Sequence, residues 1–217
     1  MNNKRKLCLS ALFLALFAAW TLALGQIDVQ PIGPNGSSVG FAAMNGAFHA
    51  LTGVHFPLYV LTDWLGLVPV VFMFGFALLG LVQWVRRKHL LLVDRSILVL
   101  GGFYLAVLGV YLFFEAHIVN YRPVLIGGFL EASYPSSTTL LVVTVMPAAI
   151  LQLRARIRRL PLRRAAAAVL TAFTAFMVLG RLVSGVHWLS DIIGGVLLGA
   201  GLVLLYDALA AQPPSPR

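Results

Sequence analysis

Residues 96–114 read SILVLGGFYLAVLGVYLFF, 19 consecutive positions without a charged side chain. An α-helix rises about 1.5 Å per residue, so such a run crosses the roughly 30 Å of hydrocarbon in a bilayer. No strand-like alternation competes with the helical reading. Five more stretches are similarly apolar: 7–24, 65–85, 138–153, 165–183 and 192–209, the last two each holding one charged residue near the end, Arg181 and Asp207. The run at 138–153 is the shortest and needs polar flanks or a neighbouring helix to bury its ends. Gly75, Gly101, Gly102, Gly194, Gly195 and Gly199 lie inside the runs and suit close helix contact. The whole chain agrees, at 60% hydrophobic and 11% charged with a mean hydropathy of +0.92. Soluble domains carry about 25% charged residues. The expected fold is therefore all-α, a polytopic membrane bundle of six transmembrane helices forming a single membrane domain over residues 1–217. Its parts are a first transmembrane helix over 1–24, an outer loop over 25–64, a core over 65–209 and a cytoplasmic tail over 210–217. Scarce polar residues exclude disorder, and the single Cys8 excludes a disulfide scaffold.

Sixteen Lys and Arg against seven Asp and Glu give a formal charge of +9. Lys4, Arg5 and Lys6 precede the first run, and Arg86, Arg87, Lys88 and Arg95 lie between the second and third. Arg154, Arg156, Arg158, Arg159, Arg163 and Arg164 lie between the fourth and fifth, and Arg217 ends the chain. All of these fall on one side of a six-span chain. The positive-inside rule makes that side cytoplasmic, with both termini there, in a multi-pass protein of the plasma (inner) membrane. Nucleic acid is excluded as a partner, because short loops hold these charges and no base-stacking aromatics interleave them. The partner they face is the lipid bilayer, whose anionic headgroups attract them. Only Arg122 and Arg181 fall on the outer side. Lys4-Arg5-Lys6 and the later Ala23-Leu24-Gly25 also fit a signal peptide cut before Gln26. The apolar run between them exceeds the usual 7–15 or so residues, so a retained helix, an uncleaved signal anchor, is expected.

The outer segments hold the chemistry. Asn120-Tyr121-Arg122-Pro123 follows the third run, and Ser133-Tyr134-Pro135-Ser136-Ser137-Thr138-Thr139 opens the fourth. Pro135 places Ser136, Ser137 and Thr138 at a helix start, where free N–H groups, the positive dipole end and hydroxyls favour an anion. The same string caps helices that bind nothing, so both readings stand. After the fifth run comes Gly180-Arg181-Leu182-Val183-Ser184-Gly185-Val186-His187-Trp188-Leu189-Ser190-Asp191. If helical there, His187 and Asp191 share a face one turn apart. A carboxylate on one imidazole nitrogen fixes the tautomer and sharpens the other as nucleophile or base. Arg122, Arg181, the hydroxyl-rich helix start and the His187–Asp191 pair together make a phosphate site. An oriented histidine there attacks phosphorus, and water cleaves the phosphohistidine. No metal or other cofactor is expected, since His49, His55 and the acidic residues lack a ligand spacing.

These segments resemble the three-part signature of the type 2 phosphatidic acid phosphatases, the integral-membrane lipid phosphatase superfamily. Its pattern is Lys-(six residues)-Arg-Pro, then Pro-Ser-Gly-His, then Ser-Arg-(five residues)-His-(three residues)-Asp. Arg122-Pro123 matches the end of the first motif and Pro135-Ser136 the start of the second. Arg181, His187 and Asp191 match the third at its spacing, and the resemblance makes residues 65–209 a phosphatase-like core. It implies His187 and Asp191 as catalytic residues, and Arg122, Ser136, Ser137, Thr138 and Arg181 as binders of substrate phosphate.

The chain departs from the pattern at three places. Glu115 stands for the first-motif Lys, Ser137-Thr138 for the second-motif Gly-His, and Gly180 for the third-motif Ser. The family's second-motif histidine is held to protonate the departing alkoxide, and Thr138 is no strong acid. One expectation is an enzyme whose leaving group needs little protonation, such as a lipid diphosphate expelling a phosphate monoester. Undecaprenyl diphosphate, a cell-wall carrier lipid, fits that logic, with Glu131 or His117 as auxiliary acids beside Glu115. The other is a degenerate relative that binds, senses or moves lipid phosphates without turnover. The resemblance leaves phosphotransfer open, and the sequence leaves the oligomeric state open. In the segment 25–64, Val39, Phe41, Met44, Phe48 and Leu51 form an apolar stripe that predicts a short interfacial helix. His49 and His55 read as packing residues there, and Trp64, Trp84, Trp188 and Tyr206 fall near span ends, the ordinary aromatic-belt position.

Overall fold

The computed structural model describes residues 1–210; residues 211–217, with Arg217 and nearly all of the expected tail 210–217, lie outside the described residues. The described residues form eight α-helices: α1 (Asn3–Leu24), α2 (Ala42–Thr52), α3 (Phe56–Leu65), α4 (Leu67–Arg87), α5 (Arg95–Ala116), α6 (Ser137–Arg156), α7 (Leu160–Val183) and α8 (Leu189–Ala210). Six helical segments are long and apolar enough to cross a membrane: α1, α5, α6, α7, α8, and α3 with α4 as one segment over Phe56–Arg87. The expected all-α polytopic bundle with six membrane-crossing segments is the fold found, and the chain is an integral membrane protein.

Local chemistry sets the helix ends. The Asn2 side chain accepts from Arg5 N–H at 2.9 Å and caps α1, and Ser136 does the same for α6 through Thr139 N–H at 3.4 Å. α7 carries Pro161 in its first turn, where a missing N–H costs nothing. The segment 25–64 differs from the loop with one helix expected there. Met44, Phe48 and Leu51 of the stripe lie in α2, and a second helix, α3, runs into α4 across Gly66.

α6 and α8 form the centre and pack on each other. α1 runs along α8, α7 along α6, α3 lies on α7, and α4 and α5 close the remaining side. Backbone and side-chain polar groups in hydrocarbon need protein partners. Ser10 donates to the Gly201 carbonyl at 2.8 Å, Trp20 Nε1 to the Ser190 carbonyl at 3.2 Å, and Lys6 pairs with Asp207 at 2.8 Å. α1 is thereby fastened to α8 near both ends and at the middle. Trp64 and Trp84 are exposed, as a belt requires, but Trp188 and Tyr206 are buried. Trp188 Nε1 donates to the Tyr121 carbonyl at 2.7 Å and Tyr206 bonds Gln152, so both are interior residues with satisfied polar ends.

One glycine on α8 decides how the outer loop seats. A Cβ at Gly194 would lie 2.5 Å from the Tyr134 ring, which the bundle holds by a 2.7 Å bond between its hydroxyl and Thr21 Oγ1. Gly194→Val is expected to destabilise the protein by about 1–3 kcal/mol, the scale of overpacking. Gly101→Ala, where no atom lies within 4 Å, is expected to stabilise by up to about 1 kcal/mol through helix propensity. Thermal unfolding of the two variants in detergent checks the difference.

Candidate active site

Between α5 and α6 the chain makes a narrow excursion. Tyr121 and Ala132 face each other across it, as do Ile126 and Phe129 around the positive-φ residues Gly127 and Gly128. Arg122 N–H donates to the Glu131 carbonyl at 3.0 Å and Ser133 N–H to the Asn120 carbonyl at 2.9 Å, so Arg122 and Ser133 sit on opposite arms. The second wall is the turn between α7 and α8. Gly185 has φ +70°, and a Cβ there would fall 2.0 Å from the Gly53 carbonyl oxygen, so only glycine fits. The segment before α3 braces this turn: His55 N–H donates to the Ser184 carbonyl at 2.9 Å, and His49 Nε2 lies 3.1 Å from the Gly185 carbonyl.

His187 is buried at the meeting of these walls, with Arg122 Nη1 3.2 Å from its Nε2. A guanidinium has only donors, so Nε2 must accept and the ring proton sits on Nδ1. Nδ1 lies 3.0 Å from Ser133 Oγ, and the Ser133 hydroxyl donates to Asp191 Oδ2 at 2.5 Å. Asp191 Oδ2 also accepts Trp188 N–H at 2.9 Å. The direct distance from His187 Nδ1 to Asp191 Oδ2 is 3.6 Å, outside a good hydrogen bond. The helical one-turn pairing expected from the sequence is thus replaced: α8 begins only at Leu189, and a serine stands between imidazole and carboxylate. Burial, then the charges of Arg122 and Arg181, hold the His187 imidazole well below its usual 6.5, which keeps it neutral.

The other expected residues are distributed unevenly. Arg181 is 1% exposed on α7; its Nη1 lies 3.4 Å from Thr62 Oγ1 and 3.5 Å from Asp63 Oδ1, and its guanidinium stands 4.9 Å over the Tyr59 ring. Arg122 Nε faces Glu131 Oε2 at 3.0 Å. Ser136 is buried and spends its hydroxyl on capping α6 and its N–H on the Asp191 carbonyl, at 3.1 Å. Ser137 lines a narrow cavity with His187, Ser133 and Glu115. Ser137 and Thr138 also line a groove of about 320 Å³ between α4, α5 and α6, whose walls are mainly apolar and which Asp63 borders. His117 is not brought in: its Nδ1 bonds the Phe113 carbonyl at 2.9 Å and its ring stacks on Phe113. Ser133 and the α3 trio Tyr59, Thr62 and Asp63 are the neighbours that sequence reasoning missed. Asp63 had a signal, being an acid inside an apolar stretch; Ser133 had none beyond its place in a hydroxyl-rich string.

Residues 115–211 match the model of the PAP2 superfamily. The fold is similar to the crystal structure of a transmembrane PAP2-type phosphatidylglycerolphosphate phosphatase from Bacillus subtilis, with a TM-score of 0.58 over 91% of this chain and 94% of that one. The two are 18% identical, so the likeness is one of fold. No curated protein matches the chain. The resemblance read from the three motifs is borne out at the level of the superfamily.

If His187 acts as a nucleophile, Ser133→Ala should lower kcat by about 10- to 100-fold with little change in KM, the scale on which outer partners of metal-bound histidines act. Ser133→Thr, which keeps the hydroxyl, should restore most of it in steady-state phosphate release. The depressed His187 also carries a stability signature. Its unfolded form takes up a proton as the pH falls past 6.5 while the folded form does not, so the wild type loses stability below that pH. Unfolding midpoints recorded from pH 8 to 5 should fall more steeply in the wild type than in His187→Asn.

Proposed function

From the PAP2 pattern over residues 115–211 and a bundle shared with a membrane member, we propose that this protein hydrolyses a membrane lipid phosphate through a phosphohistidine on His187. One observation carries the reading: His187 presents an unprotonated Nε2 beside Arg122, with the tautomer set from behind by Ser133 and Asp191. Nε2 attacks phosphorus, and Asp191 stabilises the imidazolium through Ser133. Arg122, Arg181 and the first N–H groups of α6 at Ser137 and Thr138 hold the non-bridging oxygens. Water then cleaves the N–P bond. Transfer to another acceptor in place of water would use the same first step.

Both termini lie in the cytoplasm in this reading, which puts the site on the outer face of the plasma membrane. The apolar groove of about 320 Å³ ends at Ser137 and Thr138 and gives a hydrocarbon chain a place beside the phosphate. Thr138 supplies no strong acid, and general acid help is worth roughly 10²–10⁴-fold for a poor leaving group. Among lipids with no other charged group, a diphosphate such as undecaprenyl diphosphate meets that lack best, since it expels a phosphate monoester. The second reading, a lipid-phosphate binder without turnover, draws on the same Thr138 and on Glu115 in place of lysine.

Phosphate release from lipid mono- and diphosphates by purified protein, without added metal, separates the two. Turnover that falls to background in His187→Ala is the expected result, and equal release by both proteins rejects the hydrolase. Thr138→His should raise monophosphate turnover more than diphosphate turnover, by up to about 10²-fold.

A further inference from the structure

Glu115 occupies the position where the superfamily pattern carries a phosphate-binding lysine, and it is exposed at the last turn of α5. Its side chain lines the same narrow cavity as His187, Ser133 and Ser137, and the remaining lining residues are Tyr111, Phe114, Ala132, Tyr134, Pro135 and Leu140. With His187 neutral, Glu115 is the one formally charged group on that wall. No cation pairs with it among the described residues. The two arginines of the site each already face a carboxylate, Arg122 with Glu131 at 3.0 Å and Arg181 with Asp63 at 3.5 Å. A phosphate dianion entering here meets a carboxylate with no cation partner, beside Tyr111, where a cation would help it. That repulsion vanishes if the substrate itself carries a positive charge next to its phosphate.

We propose that the substrate is an amine-bearing lipid phosphate, with an ammonium on the carbon next to the ester carbon, and that Glu115 binds that ammonium. The inference rests on the lipid-phosphatase reading and narrows its substrate class. One lone carboxylate is a partner for an ammonium, whereas a chelated divalent ion needs several oxygens. The same feature accounts for the second departure, Thr138. An ammonium in that position reaches the ester oxygen of its own molecule through a five-membered ring and can supply the proton that Thr138 cannot. His187 Nε2 forms the N–P bond with its lone pair as the P–O bond to the lipid breaks. The electron pair of that bond passes to the lipid oxygen, which takes one proton from the ammonium, and a neutral amino alcohol leaves. Water then attacks phosphorus and breaks the N–P bond, giving dihydrogen phosphate and neutral imidazole. A lipid diphosphate, by contrast, brings further negative charge against Glu115 and no cation.

A matched pair of probes isolates the charge: sphinganine 1-phosphate and its N-acetyl derivative, alike except that acetylation abolishes the ammonium. Undecaprenyl diphosphate is the third arm. The wild type should favour the free amine by at least about tenfold in kcat/KM, a modest value for one close charge pair. Glu115→Gln should lower the ratio and Glu115→Lys should lower it further, the proton that the ammonium supplies being unaffected, with turnover of the N-acetyl lipid showing that the variant is folded. Equal kcat/KM for the pair in the wild type, or a ratio unmoved by Glu115→Lys, overturns the proposal, as does undecaprenyl diphosphate outpacing the free amine. If no lipid is turned over, the phosphatase reading falls, and binding decides this inference separately. A larger thermal stabilisation by sphinganine 1-phosphate than by its N-acetyl derivative then supports it, and equal stabilisation overturns it.

Discussion

The Asp191 carboxylate, wholly buried in the first turn of α8, is the point from which the outer end of the bundle is built. It accepts the Ser133 hydroxyl and the Trp188 amide, and the carbonyl of the same residue accepts the Ser136 amide. One residue thus joins the excursion between α5 and α6, the start of α6 and the turn before α8. A buried carboxylate that lost these donors would cost several kcal/mol, so none of the three segments can leave alone. The dipole at the start of α8 favours the same charge. His187 takes its tautomer from this arrangement, and the ring is therefore fixed by a carboxylate that it reaches through Ser133 rather than directly.

Parts of the chain far from the motifs hold that arrangement in place. Tyr134 follows Ser133, lies in the notch at Gly194, bonds Thr21 and stacks on Phe17 at 6.1 Å between ring centroids. α1 consequently braces the residue that bridges His187 and Asp191. From α2, Asn45 Nδ2 donates to Ser190 Oγ at 2.9 Å and its Oδ1 accepts Ser190 N–H at 3.0 Å, a reciprocal pair within the first turn of α8. His49 packs against Trp188 with ring centroids 5.5 Å apart. These contacts make the first helix and the outer segment a scaffold for the motif turn, and in low dielectric each polar pair is worth more than in water.

The spans were legible because hydrocarbon imposes a length and a composition on each helix, and both are written in single residues. That Arg122, His187 and Asp191 come together was legible because their spacing matches a pattern that carries a chemistry. Ser133 was not, since its role arises from two arms of an irregular loop closing across Arg122–Glu131 and Asn120–Ser133 backbone bonds, which no periodicity encodes. α3 was hidden for a different reason. Its residues 56–65 abut the next apolar run with only Gly66 between, so their hydrophobicity merged with the span while Thr62 and Asp63 read as loop. Gly180, a departure from the family pattern in the sequence, gains a reason only in three dimensions: a Cβ there would lie 2.8 Å from Thr62 Cγ2, so the missing side chain lets α3 close on α7.

That closure also bears on the charge balance of the site. Arg122 and Arg181 act together on His187, and two guanidinium groups sharing a desolvated corner repel each other. Glu131 and Asp63 relieve the repulsion in the free protein, and both are solvent-facing, with 43% and 59% of their side chains exposed against 10% and 1% for the arginines. The cations are therefore enclosed by protein, and the carboxylates are the partners that face water. A guanidinium has five N–H donors, so each arginine can take phosphate oxygens while its carboxylate turns toward water. In the proposed complex a phosphate held by the two arginines would leave Glu131 and Asp63 without their cations, as Glu115 already is. The proposed ligand, bringing its own positive charge, would offset these carboxylates, so that the site would be balanced both empty and filled.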